Sequence, residues 1–262
     1  MAPAIITLTT DFGTRDHYVG VMKGVIASIN PAAKIIDICH EVAFYNVAQG
    51  AFFIAQAYRY FPKETVHVAV VDPGVGSARR AILAEAAGQR FVAPDNGVLS
   101  QVLERERHTV RAIRVERFAL QPTSQTFHGR DIFAPVAAWL SSGKECAEFG
   151  DAVGDYVRLE RTDPVLVKPG RWRGRILNID SFGNIVTSLP ASLLTEAAGE
   201  ARVEAGRIQT EHVHTAYAQA SAGEPFVIAG SSGYIEISIK QASAAKAAGV
   251  EIGDRVDLIF HV

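Results

Sequence analysis

Four stretches place acids, arginines and a histidine where they can act together. Val70-Val71-Asp72-Pro73-Gly74-Val75-Gly76-Ser77-Ala78-Arg79-Arg80 runs an apolar segment into an acid and closes on two cations. Thr10-Asp11-Phe12-Gly13 ends another apolar segment on an acid, and Pro94-Asp95-Asn96-Gly97 a third. Phe127-His128-Gly129-Arg130-Asp131 puts an imidazole just before a helical pattern. An acid, a guanidinium and an imidazole can together orient a water and deprotonate it. Carboxylates with a histidine also suit Mg2+ or Mn2+, so Asp11, Asp72, Asp95 and His128 carry a second reading as ligands of a metal-dependent hydrolase. Asp-Pro-Gly is equally ordinary turn chemistry, and a His before a helix is often a cap or core residue. The residues alone do not choose.

The elements that must position these groups are readable. Short apolar runs predict strands over residues 4–10, 34–38, 66–71, 81–86, 90–93 and 110–115. Between them, apolar stripes predict helices over 16–29 with Asp16 as cap, 46–61 with Asn46 as cap and Pro62 as stop, 98–107, and from about Asp131 through 140 with Pro135 in the first turns. This alternation implies an α/β fold with a mostly parallel sheet and helices on both faces. Loops at the carboxyl ends of such strands are where ligands bind. Scattered charge and two prolines over 155–169 mark a linker, giving domains 1–160 and 161–262. Beyond it, glycine-punctuated strands over 173–179, 185–189, 201–208, 225–229, 234–239 and 255–260 predict a small all-β barrel or sandwich, with a short helix in 242–248. Two turns there carry polar groups. Asp180-Ser181-Phe182-Gly183-Asn184 is a tight turn or a carboxylate, ring and amide suited to a cation. Gly230-Ser231-Ser232-Gly233 is a hairpin turn whose amides and hydroxyls can hold a carboxylate.

Several classes are disfavoured. A formal net charge of -2 draws the chain to neither nucleic acid nor lipid. No apolar run approaches the ~20 residues of a membrane span, and the N-terminus does not read as a signal peptide. Cys39 and Cys146 have no CxxC spacing and are expected as free thiols in a reducing compartment, hence a cytoplasmic protein. P-loop, dinucleotide-binding, zinc-protease and nucleophile-elbow motifs are absent.

Taken in order, the Thr9–Gly13, Asp72–Arg79, Ala93–Gly97, Phe127–Pro135 and Asp180–Asn184 motifs resemble the S-adenosyl-L-methionine (SAM) hydroxide adenosyltransferases, or SAM hydrolases, relatives of the fluorinases and chlorinases. The resemblance implies hydrolysis of SAM to adenosine and L-methionine, without a cofactor or metal, by an α/β plus β-barrel chain. It implies a homotrimer with each site shared between neighbouring subunits. By motif, Asp72, Arg79 and His128 position the water, with Arg80 the adjacent alternative to Arg79. Asp11 falls on the ribose hydroxyls and Tyr45 near the ribose or sulfonium. Asp180 and Ser231 fall on the methionine ammonium and carboxylate, and Phe182 and Asn184 on the adenine. Asp95, Asn96 and Glu236 complete the implied binding set. The halogenases lack the central Asp and the His-Gly-Arg-Asp motif. Ser232 stands where they have an arginine. A SAM-binding protein without catalysis is the remaining alternative.

Overall fold

The computed structural model describes residues 4–196 and 201–260. The outer limits expected for the two domains, residues 1 and 262, lie outside them. The fold is mixed α/β with two sheets, and the chain divides into two compact units between Leu159 and Glu160.

In the first unit the order is β1 (Ile5–Thr10), α1 (Tyr18–Ile29), β2 (Lys34–Cys39), α2 (Val47–Ala57), β3 (Val66–Val70), β4 (Ala81–Ala86), β5 (Gln89–Pro94), α3 (Ser100–Arg105), β6 (His108–Ala112), α4 (Val115–Phe118) and α5 (Ala134–Ser141). The sheet order is β2-β1-β3-β5-β4-β6. The first four strands pair in parallel, and β4 runs antiparallel to both its neighbours. Side chains alternate across a strand. Val66, Val68 and Val70 of β3 therefore join one core with α1 and α5, while Ala69 joins another with α2 and α3. Both faces are covered, and β3, buried throughout, ends in the middle of the sheet at the Asp72 loop.

Several boundaries differ from expectation for local reasons. Helix α1 starts at Tyr18, and its cap position is His17 without a side-chain bond. Asp16 is exposed and does not cap it. Asn46 does cap α2, its Oδ1 accepting from Gln49 N at 2.9 Å. That helix ends at Ala57, and a 3-10 turn over Tyr58–Tyr60 fills the space before Pro62. Strand β6 stops at Ala112, and Val115–Phe118, whose first residue was expected in the strand, is a helical turn. The helix after His128 opens as a π-helical turn, Gly129–Phe133. Pro135 has no N–H to offer the Asp131 carbonyl. Leu120 N fills that vacancy at 2.8 Å, which ties the preceding loop to the helix.

The second unit holds β7 (Val165–Lys168), β8 (Arg171–Ile179), β9 (Ile185–Pro190), α6 (Ser192–Glu196), β10 (Ala201–Ala205), β11 (Ile208–Thr210), β12 (Val213–His214), β13 (Pro225–Ala229), β14 (Tyr234–Ile239), α7 (Ala244–Ala248) and β15 (Arg255–Phe260). Strand β7 lies inside the stretch read as linker and pairs with β8. The single strand expected over 201–208 is a tight hairpin, because Gly206 turns at φ +54 and its missing side chain admits the Ala248 carbonyl. The sheet order is β11-β10-β15-β8-β9-β14-β13-β12. Its ends approach each other: Thr210 Oγ1 donates to Pro225 O at 2.6 Å, so the sheet curls. Gly230–Gly233 is the expected hairpin turn, with Gly233 N bonded to Gly230 O.

Candidate active site

The Asp72 loop is rigid by construction. Ser77 Oγ donates to Gly74 O at 2.6 Å and accepts from Arg79 N. Gly76 has φ +77, and a Cβ there would sit 2.3 Å from Gln125 O. Only glycine lets this loop lie against the segment leading to His128. The result is a three-residue network. Arg79 Nε donates to Asp72 Oδ1 at 3.0 Å and Oδ2 at 3.1 Å, and its Nη2 also bonds Asp72 Oδ2. The same Nη2 donates to His128 Nδ1 at 2.7 Å. Phe133 lies under the guanidinium, 5.3 Å from ring centre to Cζ. Side-chain exposure is 5% for Asp72 and 10% for Arg79, so the pair is strongly coupled.

Because arginine only donates, His128 Nδ1 accepts, and the neutral ring carries its proton on Nε2. Burial, followed by the Arg79 charge, holds the His128 pKa below its ordinary value. With Nδ1 occupied, the ring orients its neighbours and is not a ready base.

Asp72 and His128 of this network border a cavity of ≈ 540 Å3 in the first unit, within the size range of small-molecule sites. Asp11, Asp72, Tyr45 and His128 line it together. Asp11 follows β1, and its Oδ2 accepts from Tyr45 N at 2.9 Å. That bond helps hold Tyr45 at φ +64, a conformation unusual for an aromatic residue. Burial, countered in part by the Tyr45 hydrogen bond, leaves the Asp11 pKa above the usual carboxylate value, and the Asp72 charge adds to the rise.

Sequence reasoning missed much of the wall. Phe12, Tyr18, Phe44 and Phe127 supply aromatic faces, and Asp16 a further acid. Tyr18 meets Phe127 edge-on at 5.0 Å. Phe12 and Phe127 sit beside Asp11 and His128 inside the quoted motifs, which was the available signal. Arg130 also borders the cavity, but Asp131 neutralises it through bonds of 2.5 and 2.8 Å. An acidic, aromatic cavity suits a cationic ligand.

Asp95 and Asn96, expected among the binding residues, do not line this cavity and are instead spent on the chain. Asp95 accepts from Arg80 Nε at 2.9 Å and Val157 N at 2.8 Å, and Asn96 donates to Val71 O at 2.8 Å. Asp95 is therefore not brought to Asp11, Asp72 and His128 as a metal ligand. No group of three or more His, Cys, Asp or Glu among the described residues is arranged to hold a metal ion.

The remaining expected residues belong to the second unit. Asp180 closes its own turn: Oδ1 accepts from Phe182 N and Asn184 N, and Oδ2 from Asn184 Nδ2 at 2.9 Å. Phe182 is 78% exposed, an aromatic face left open. Ser231 is exposed in the β13–β14 turn. Glu236 is buried in β14, where Oε1 accepts from Ser238 Oγ at 3.1 Å and from the Tyr217 hydroxyl. Burial, then that hydrogen bond, pushes the Tyr217 pKa up to about 12, and the Asp180 charge adds to it. Tyr217 had no motif to announce it.

With this geometry in hand, comparison with known proteins is specific. Residues 6–150 match the SAM hydroxide adenosyltransferase N-terminal domain and residues 174–257 the C-terminal domain of the same name. The chain is 39% identical to an (R)-S-adenosyl-L-methionine hydrolase of Salinispora tropica over 98% of each chain. It is 35% identical to one of Methanocaldococcus jannaschii, over 98% of this chain and 96% of that one. A crystal structure of an uncharacterized conserved protein from Thermotoga maritima superposes with a TM-score of 0.92 at 38% identity, covering 97% of this chain and 99% of that one.

Proposed function

From the premise that this chain belongs to the SAM hydroxide adenosyltransferase family, we propose that it hydrolyses SAM to adenosine and L-methionine. The observation that carries the reading is the Asp72–Arg79–His128 network at the edge of an acidic, aromatic cavity. A sulfonium makes C5′ electrophilic and leaves as a neutral thioether, so no metal or cofactor is required to activate it. The protein's task is to hold a water in line. Such positioning supplies on the order of 7–11 kcal/mol. Asp72 retains lone pairs to accept from that water and takes its proton as the C5′–O bond forms and the C5′–S bond breaks. Arg79 fixes the carboxylate, and His128 fixes Arg79. Asp11 holds the ribose hydroxyls and Tyr45 lies near the ribose or the sulfonium.

The same reading gives the second unit the methionine and adenine contacts, through Asp180, Phe182, Asn184, Ser231 and Glu236. It takes residues 1–160 as a largely parallel α/β domain and 161–262 as a β-barrel domain, assembled as a cytoplasmic homotrimer with shared sites. The two cysteines, both free, fit a reducing compartment. Incubation with SAM in 18O-water tests the reaction: labelled adenosine 5′-hydroxyl and free methionine are expected. Release of unchanged SAM would leave a binding protein, and 5′-halogenated product in place of adenosine would overturn hydrolysis.

A further inference from the structure

The Asp11 loop is held by a polar chain that the proposed reaction does not use. Strands β1 and β2 pair in parallel until the register shifts between Leu8 and Thr9, so that Leu8 faces Asp37 but Thr9 faces Cys39. Such a bulge re-aims side chains at a strand end. Here the ends bring His40 beside Thr10. Thr10 Oγ1 lies 2.9 Å from His40 Nδ1 and accepts from Phe12 N at 3.2 Å. His40 Nε2, fully buried, lies 3.1 Å from Asp37 Oδ1. Asp37 Oδ2 is held by Lys23 Nζ at 2.6 Å. The His40 carbonyl in turn accepts from Gly13 N at 2.8 Å. Asp11 is thus pinned from the residue after it and from the one after that.

One polarity runs through the chain. The Thr10 oxygen receives Phe12 N–H and turns its own proton to His40 Nδ1, which leaves the ring proton on Nε2, at ion-pair distance from Asp37 Oδ1 but not hydrogen-bonded to it. Thr10 is fully buried and His40 is 5% exposed, so an unmade bond here cannot be replaced by water at no cost.

The geometry points to Thr10, His40 and Asp37 as a positioning unit that sets the Asp11 carboxylate for the ribose hydroxyls, an inference that rests on the reading of Asp11 above. None of the three is a catalytic residue. The test compares dissociation constants of adenosine and 2′,3′-dideoxyadenosine, which lacks only those hydroxyls. The wild-type protein is expected to prefer adenosine by on the order of tenfold or more, as for hydrogen bonds to a charged group. Thr10→Val, a near-isostere without the hydroxyl, is expected to lower that preference severalfold, and Thr10→Ser to preserve it. A general loss of stability would weaken both ligands alike. Should Thr10→Val not fold, Asp37→Ala, at a half-exposed position, removes the carboxylate that lies 3.1 Å from His40 Nε2 and is expected to act in the same direction. A wild-type preference that persists unchanged in the variant that folds would overturn the positioning unit. A wild-type protein without preference would overturn the ribose role of Asp11 as well.

Discussion

Arg79 and Arg80 are chain neighbours, and each pairs with an aspartate that follows a strand of the same sheet. Their fates differ. Arg79 meets Asp72 beyond the end of β3, where the carboxylate also borders a cavity and a histidine completes the set. Arg80 meets Asp95 beyond the end of β5, where Val157 N takes the other oxygen and Asp155 takes the rest of the guanidinium. Ion-pair chemistry alone therefore marks no active site. What separates the two pairs is a buried carboxylate that borders a cavity rather than one consumed in holding the chain.

The sharpest way to break this comparison is to truncate both acids. Asp72→Ala is expected to lower kcat by on the order of 10²–10⁴, with the dissociation constant of SAM little changed because the interaction belongs to the transition state. Asp95→Ala is expected to keep kcat near wild type and to lose about 1–3 kcal/mol of stability in urea unfolding. Equal losses of kcat would erase the distinction.

Next come the arginines. Arg79→Ala leaves Asp72 buried and uncompensated, with an expected cost of about 3–5 kcal/mol. Arg80 is 35% exposed at its side chain, and Val157 N still serves Asp95, so Arg80→Ala is expected to cost about 1–3 kcal/mol. Chemical denaturation of both variants checks the order.

The loops supply a smaller contrast. Gly76 at φ +77 and Gly97 at φ +93 both turn left-handed, the first against Gln125 O and the second against Leu159. Alanine at either is expected to cost about 1–3 kcal/mol. Only Gly76→Ala should also lower kcat, because only that loop carries Arg79. Measured kcat loss in Gly97→Ala alone would reverse the assignment.

The smallest effect is a pH shift. The Asp11 pKa is raised above 3.8. An acid with a raised folded pKa contributes stability that is complete below its unfolded pKa and is lost as pH rises through the folded one. Asp11→Asn should therefore be slightly more stable than wild type at neutral pH, and bind SAM more weakly. In the wild type, SAM affinity should fall with acidification at a pH above 3.8, and Asp72→Asn, by removing a repelling charge, should move that midpoint down. Titration of SAM affinity in both proteins reads the shift, and an upward or absent movement would deny the coupling.

Much was legible because it is local. Acids after apolar runs, the Asn46 cap and the Gly230–Gly233 turn need only neighbouring residues to form. Alternating apolar positions told strand from helix before any partner was known. Loop spacing favoured Arg79 over Arg80, and motif favoured Asp72 over Asp95, but neither showed what each arginine and acid would meet, since each pair offers the same side chains at the end of similar strands. Nor did either reveal that Pro135 frees the Asp131 carbonyl for Leu120, that His40 reaches Thr10 across a bulge, or that Tyr217 closes on Glu236. These were decided by which strand ends the tertiary fold makes neighbours. A charged or polar side chain, once buried, must take whatever partner lies within about 3 Å, and that partner comes from a distant part of the chain.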